Sequence, residues 1–286
     1  MTNPGLVSVM DAQNAGAIVW WTLEGQCSLA ELTTKFDELG LPSDWLPSAP
    51  SPAQSLKRAI DSVRQPKQLL AAHPSGGYAV YQQAEIDIDG DPELRVVLHA
   101  YLNEEGAFCI RKTTNEELKD KLLDAYNREC TILAAQDISH WLINVLAKKL
   151  FALSLRDRGG VYFITSSAVE RYSSLVSVLS SLQASYKLYQ IPAMKSKDAI
   201  AAIIDAITSE TNKYSETVFS HLCEEKMGKR ALETQLKEST NYLNKIKIYE
   251  EVVGENLDKL RAQLTNLQAC VSASILSLEP SEEEAQ

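Results

Sequence analysis

Residues 232–274 read LETQLKESTNYLNKIKIYEEVVGENLDKLRAQLTNLQACVSAS. Set on a heptad, the a positions are Leu232, Ser239, Ile246, Val253, Leu260, Leu267 and Ser274. The d positions are Leu236, Leu243, Glu250, Leu257, Leu264 and Val271. Ten of these thirteen are aliphatic in strict 3-4 spacing, the pattern of a coiled-coil seam. No proline falls between Lys197 and Ser277, so the sequence predicts one long helical arm over 196–277 and an acidic disordered tail over 278–286. Burying each aliphatic side chain is worth about 1.5–3 kcal/mol, so an exposed stripe of ten calls for a partner. The expected partner is a second copy of the chain or another helical protein. Glu250 is costly at a d position of a dry seam. Upstream the pattern decays at Glu225 and Lys229, around Gly228. The competing arrangement is an antiparallel hairpin within one chain, turning near 225–229.

N-terminal to the arm, prolines at 4, 42, 47, 50, 52, 66, 74 and 92 make the first third rich in turns. GAIVWWTL (16–23) reads as a buried strand. Ser28 caps a helix over about 29–39, with Glu31 at the capping-box position and Gly40 just past its end. After the connector LPSDWLPSAPSP, Ser51 and Pro52 open a helix to about Val63. Runs 67–73, 78–88, 93–102 and 107–112 have strand composition and are separated by PSGG, DGDP and NEEG, which predicts an antiparallel β-meander. Helices are expected over 115–129, with Thr114 and Glu117 as capping box, and over 136–155. VYFI (161–164), a helix over 166–183 and YKLYQI (186–191) form a small β-α-β element with a parallel strand pair. The fold class is α+β, with a mixed module over 1–195 before the arm.

Lys and Arg number 28 against 38 Asp and Glu, for a net charge of −10. Residues 195–286 hold 11 basic and 16 acidic residues, so no basic domain hides in an acidic chain. Binding driven by phosphate charge is therefore not favoured. The five cysteines lack CxxC spacing and suit reduced thiols, which points to the cytoplasm. The N-terminus lacks the basic and apolar regions of a secretory signal, and no run is long enough for a membrane span.

Few residues group as chemistry requires. His73, His99, His140 and His221 have no metal-motif spacing, and Asp137 with His140 reads as a local helical pair. Asp87, Asp89 and Asp91 superficially resemble a calcium loop. Counting from Asp87, however, the sixth and twelfth positions are Pro92 and Leu98, so Asp89-Gly90 reads as a hairpin tip. RDRGGVYF (156–163) places Arg156 and Arg158 beside Gly159 and Gly160. With Lys148 and Lys149 nearby in sequence, these make a candidate anion or nucleic-acid contact. A helix C-terminus with favourably placed cations is the structural reading. ITSS (164–167) has the strand-to-helix order of an anion site without its glycines, and Cys109 and His99 could sit on neighbouring strands. No metal, cofactor or catalytic residue is expected. Trp20, Trp21 and Trp45 are assigned to packing, one of the pair lying under the proline connector.

WWTL, SLAELTTKFDELGLP, WLPSAPSP and SLKRAI within residues 20–60, together with LSLRDRGGVYFI (153–164), resemble a family of uncharacterised proteins of bacteria, phages and mobile elements. The resemblance implies a mobile-element or phage-related setting and no reaction. The function expected is a non-enzymatic scaffold or adaptor that assembles through Leu232, Leu236, Leu243, Ile246, Val253, Leu257, Leu260, Leu264, Leu267 and Val271. The alternatives are a nucleic-acid accessory protein using the patch near 148–160, and an enzyme or sensor binding a phosphorylated ligand at 156–167.

Overall fold

The computed structural model describes residues 14–83, 94–113, 116–156, 158–224 and 227–278. The expected Asp89-Gly90 tip, the Thr114 cap, Glu225 and most of the acidic tail lie outside the described residues. In chain order the strands are β1 (Asn14–Glu24), β2 (Gln26–Ser28), β3 (Leu69–Ala72), β4 (Tyr78–Gln83), β5 (Leu94–Leu102), β6 (Phe108–Thr113), β7 (Ile132–Ala134), β8 (Leu153–Ser154), β9 (Tyr162–Thr165) and β10 (Ser185–Met194). The helices are α1 (Leu29–Glu38), α2 (Pro52–Val63), α3 (Glu116–Glu129), α4 (Ala135–Lys149), α5 (Ser166–Ser180), α6 (Lys197–Cys223), α7 (Lys229–Val253) and α8 (Asp258–Ser277), with a 3-10 turn at Ser43–Trp45.

The chain divides into two compact units. Leu23–Trp141 with Val178–Ser185 form one; the other holds the described residues up to Thr22, Leu142–Ser177 and those from Tyr186 onward. In the first, β3-β4-β5-β6 is the expected antiparallel meander. Leu56, Ala59 and Ile60 of α2 and Leu122 and Ala125 of α3 share a core with Val80, Leu98 and Ala100 of the sheet. The Ser51 hydroxyl accepts from the Gln54 N–H, with Pro52 opening α2 as the sequence indicates. Ser28 caps α1 through the Ala30 N–H. Asp137 has partners beyond its own helix. It accepts from both terminal nitrogens of Arg58, at 2.6 and 2.9 Å, from Gln54 and from the Ala134 N–H. Burial works against its charge, but the bonds from Arg58 and Ala134 outweigh that and hold the carboxyl below its usual range.

The other unit overturns the long arm. Residues 197–277 form three separate helices, not one coiled coil. The chain turns at Gly254, which ends α7 with φ 73, a left-handed conformation that glycine adopts without steric cost. Glu250 lies at this corner instead of in a seam. Its carboxylate accepts from the Leu257 N–H at 2.8 Å and pairs with Arg261, so it serves an otherwise unpaired amide at the start of α8. Gly228 is the N-cap of α7. Cross-helix pairs show the directions: Glu210 with Lys245 and Tyr214 with Tyr242 between α6 and α7, Thr240 with Gln268 between α7 and α8. Each pair is antiparallel. The ten stripe residues therefore meet one another and α6 within one chain. Ile246, Leu264, Leu267 and Val271 are fully buried, and Leu236 and Leu243 are half-buried against the same core.

Further expectations change. α4 ends at Lys149, so Leu153 belongs to β8. β9 and β10 are not adjacent, because β1 lies between them in the order β10-β1-β9-β8. Trp20 stacks on Tyr189 of β10 and Trp21 on Tyr162 of β9. The strands β1, β8, β9 and β10, placed by sequence in a 1–195 module, share a unit with the three helices.

Leu264→Ala is expected to lower stability by about 2–5 kcal/mol, as truncation of a buried leucine does, and to leave the molecular mass in sedimentation unchanged. Leu257→Asp with Leu264→Asp should abolish cooperative unfolding of the helical unit; recovery of a folded monomer from a wild-type oligomer would contradict the intrachain stripe.

Candidate functional site

The patch proposed near 148–160 is distributed over different surroundings. Arg156, Arg158, Gly159 and Gly160 lie in the connection of the β8–β9 hairpin, where the Leu155 N–H donates to the Val161 carbonyl and the Gly159 N–H to the Arg156 carbonyl. Gly159 and Gly160 thus turn a hairpin, not a helix end. Arg156 lines a shallow depression of about 670 Å3 together with Asp205, Glu210 and Lys213, and Arg158 is exposed. Lys148 and Lys149 occupy the last turn of α4, Lys148 exposed and Lys149 half-buried. The cavities lined by Arg156 and by Lys148 both include carboxylates, so neither forms the uniformly basic surface that a phosphate backbone requires. Cys109 and His99 do sit on the neighbouring strands β6 and β5, with Cys109 opposite Tyr101 and His99 opposite Lys112.

The sequence does not single out Lys245, yet this residue of α7 is the centre of a buried polar cluster. Its Nζ donates to the Ala152 carbonyl and to Glu210 Oε1, both at 2.7 Å. The side chain is 5% exposed, against 29% for Glu210. Burial pushes the amine below the usual lysine range, with Glu210 opposing that shift. One turn further on, the Tyr249 hydroxyl donates to the Phe151 carbonyl at 2.9 Å. Phe151 itself has φ 51, which is rare for a bulky residue. Tyr242 and Tyr214 stack with ring centres 4.3 Å apart. Burial raises both phenols, Tyr214 to about 12, so both are protonated at neutral pH. Lys148, Phe151, Tyr214, Glu238, Tyr242 and Lys245 border a half-open cleft of about 270 Å3. A signal for this cluster exists in the sequence. Glu238, Tyr242, Lys245 and Tyr249 form a second 3-4 stripe, one step from the aliphatic one.

A second surface is β10. It is the edge strand of its sheet, and its exposure does not alternate over 189–192. Tyr189, Ile191 and Met194 are 39%, 52% and 45% exposed. Among the described residues no group of three or more His, Cys, Asp or Glu could hold a metal ion, and no helix is long and apolar enough to cross a membrane.

The meander carries a histidine pair. The His73 and His99 rings stack 4.0 Å apart, and His99 Nε2 bonds the Gly76 carbonyl. Withdrawal from water, then the charges of His99 and Arg111, hold His73 below its usual range. A base depressed in the fold takes up protons more readily when unfolded, so its contribution to stability is present at pH 8 and is lost as pH falls through about 6.5 and below. Urea unfolding at pH 8 and pH 5 should show a larger acid loss in the wild type than in His73→Asn. Equal losses would contradict this placement of His73.

Residues 83–281 match the DUF6744 family, a family of unknown function, and the chain belongs to that family. No curated protein and no solved structure matches it.

Proposed function

We propose that this member of the DUF6744 family is a non-catalytic adaptor that takes up an extended segment of a partner protein along β10. The observation that supports this reading is the edge position of β10 combined with its exposed Tyr189, Ile191 and Met194. An edge strand offers backbone donors and acceptors to an added strand, and alternate side chains supply specificity. Trp20 backs Tyr189 at 5.1 Å, giving the aromatic contact a firm base. Lys187 and Pro192 lie in the same strand. A charge and a missing N–H discourage indiscriminate pairing, so the edge suits a selected partner better than general aggregation.

The adaptor role replaces assembly through the aliphatic stripe, because that stripe is buried within the chain. A cytoplasmic location, in the phage or mobile-element setting implied by the resemblance, belongs to this proposal. Cysteine spacing supports the location.

The test is affinity recovery from cells of the source type with the wild-type chain and with Tyr189→Asp/Ile191→Asp. A protein bound by the wild type should be lost by the variant, and its segment should protect amides of 185–194 from hydrogen exchange. A second copy of the chain as that partner would appear as a dimer in sedimentation. Identical recovery by both chains, with both folded, overturns the reading.

A further inference from the structure

The Lys245 cleft lies apart from β10 in its residues and carries a different chemistry. Nζ has two acceptors, the Ala152 carbonyl and Glu210 Oε1, each at 2.7 Å. A neutral amine has two N–H bonds and one lone pair. In the deprotonated form the two bonds match the two acceptors and the lone pair takes the remaining tetrahedral position. No third acceptor of Lys245 occurs among the described residues, and the Tyr242 ring centre lies 6.0 Å from Nζ. Both residues border the cleft of about 270 Å3, which has room for a small organic molecule. Glu210 is the more exposed member of the pair and reaches the same cleft. An amine beside a carboxylate, at the wall of a cleft with two protonated phenols, is the donor set of a group that condenses with carbonyls.

We propose that Lys245 is a carbonyl-reactive lysine whose amine forms an imine with a small aldehyde or ketone held in this cleft. The Nζ lone pair forms the N–C bond while the carbonyl π pair moves onto oxygen. Glu210 relays one amine proton to that oxygen, giving a neutral carbinolamine. The second amine proton leaves by the same carboxylate and joins the departing hydroxyl as water, and the C=N bond remains. Both amine protons end in water, and no oxidant or reductant is consumed. Burial, which favours the neutral amine, supports the same geometry.

Trapping on the full chain tests this. The folded protein is treated at pH 7 with propionaldehyde and cyanoborohydride, and propylated lysines are mapped by peptide mass. Lys245 should be modified about tenfold or more faster than the exposed Lys237 and Lys259, and its rate should level off at lower pH than theirs. Glu210→Gln should slow Lys245 several-fold and leave Lys237 unchanged. A lysine that only braces the fold would be shielded. Modification of Lys245 no faster than Lys237 in the wild type overturns the proposal, whether or not the Glu210 variant folds. Because β10 plays no part in this chemistry, either result leaves the adaptor test unaffected.

Discussion

The carboxylate of Glu250 accepting from the Leu257 amide, with Arg261 on its other oxygen, is the contact on which the helical unit turns. A helix leaves its first amides unpaired, and a start placed against other helices needs an acceptor brought to it. Glu250 brings that acceptor from the last turn of α7, while Gly254 supplies the left-handed residue that lets the chain reverse. With this corner in place, α8 runs back along α7. The aliphatic stripe then closes on itself, and Leu264, Leu267 and Val271 lose all contact with water. A straight helix would have exposed the same side chains.

Local chemistry explains what could be read in advance. The meander, the Ser28 cap and the Ser51-Pro52 start depend on residues within a few positions of one another, and each appears where its caps and turns place it. The stripe at 232–271 is different. A 3-4 spacing specifies which face is buried but not what covers it, and an antiparallel neighbour in the same chain satisfies it as well as a second chain does. Glu250, out of place in a dry seam, carries the information about the turn. The insertion of β1 between β9 and β10 depends on pairing across more than a hundred residues, which no local pattern encodes.

The cluster around Lys245 was hidden for a related reason. In the heptad frame Lys245 falls beside the seam, where a lysine normally stretches to water. Its burial follows from the Ala152 carbonyl, contributed by the segment after α4, and from Glu210 on α6. Phe151, in its left-handed conformation, and Tyr249 fix that segment against α7. The cleft is thus assembled from parts distant in sequence, and its chemistry depends on a junction whose backbone is strained.

The division of the chain also bears on how it emerges from the ribosome. Leu23–Trp141 is an insertion within the other unit, whose strand β1 precedes it and whose helix α8 is made more than two hundred residues later. At ordinary rates of synthesis, on the order of ten to fifty seconds separate the two. During that interval the inserted unit can complete its meander and close its own core, because nearly all of its contacts lie within a contiguous stretch. β1, with its paired tryptophans, must remain unpaired until β9 arrives, and the core it shares with the helices cannot close until α8 does. Nascent chains therefore carry β1 as an apolar strand open to chaperones while the inserted unit is being made.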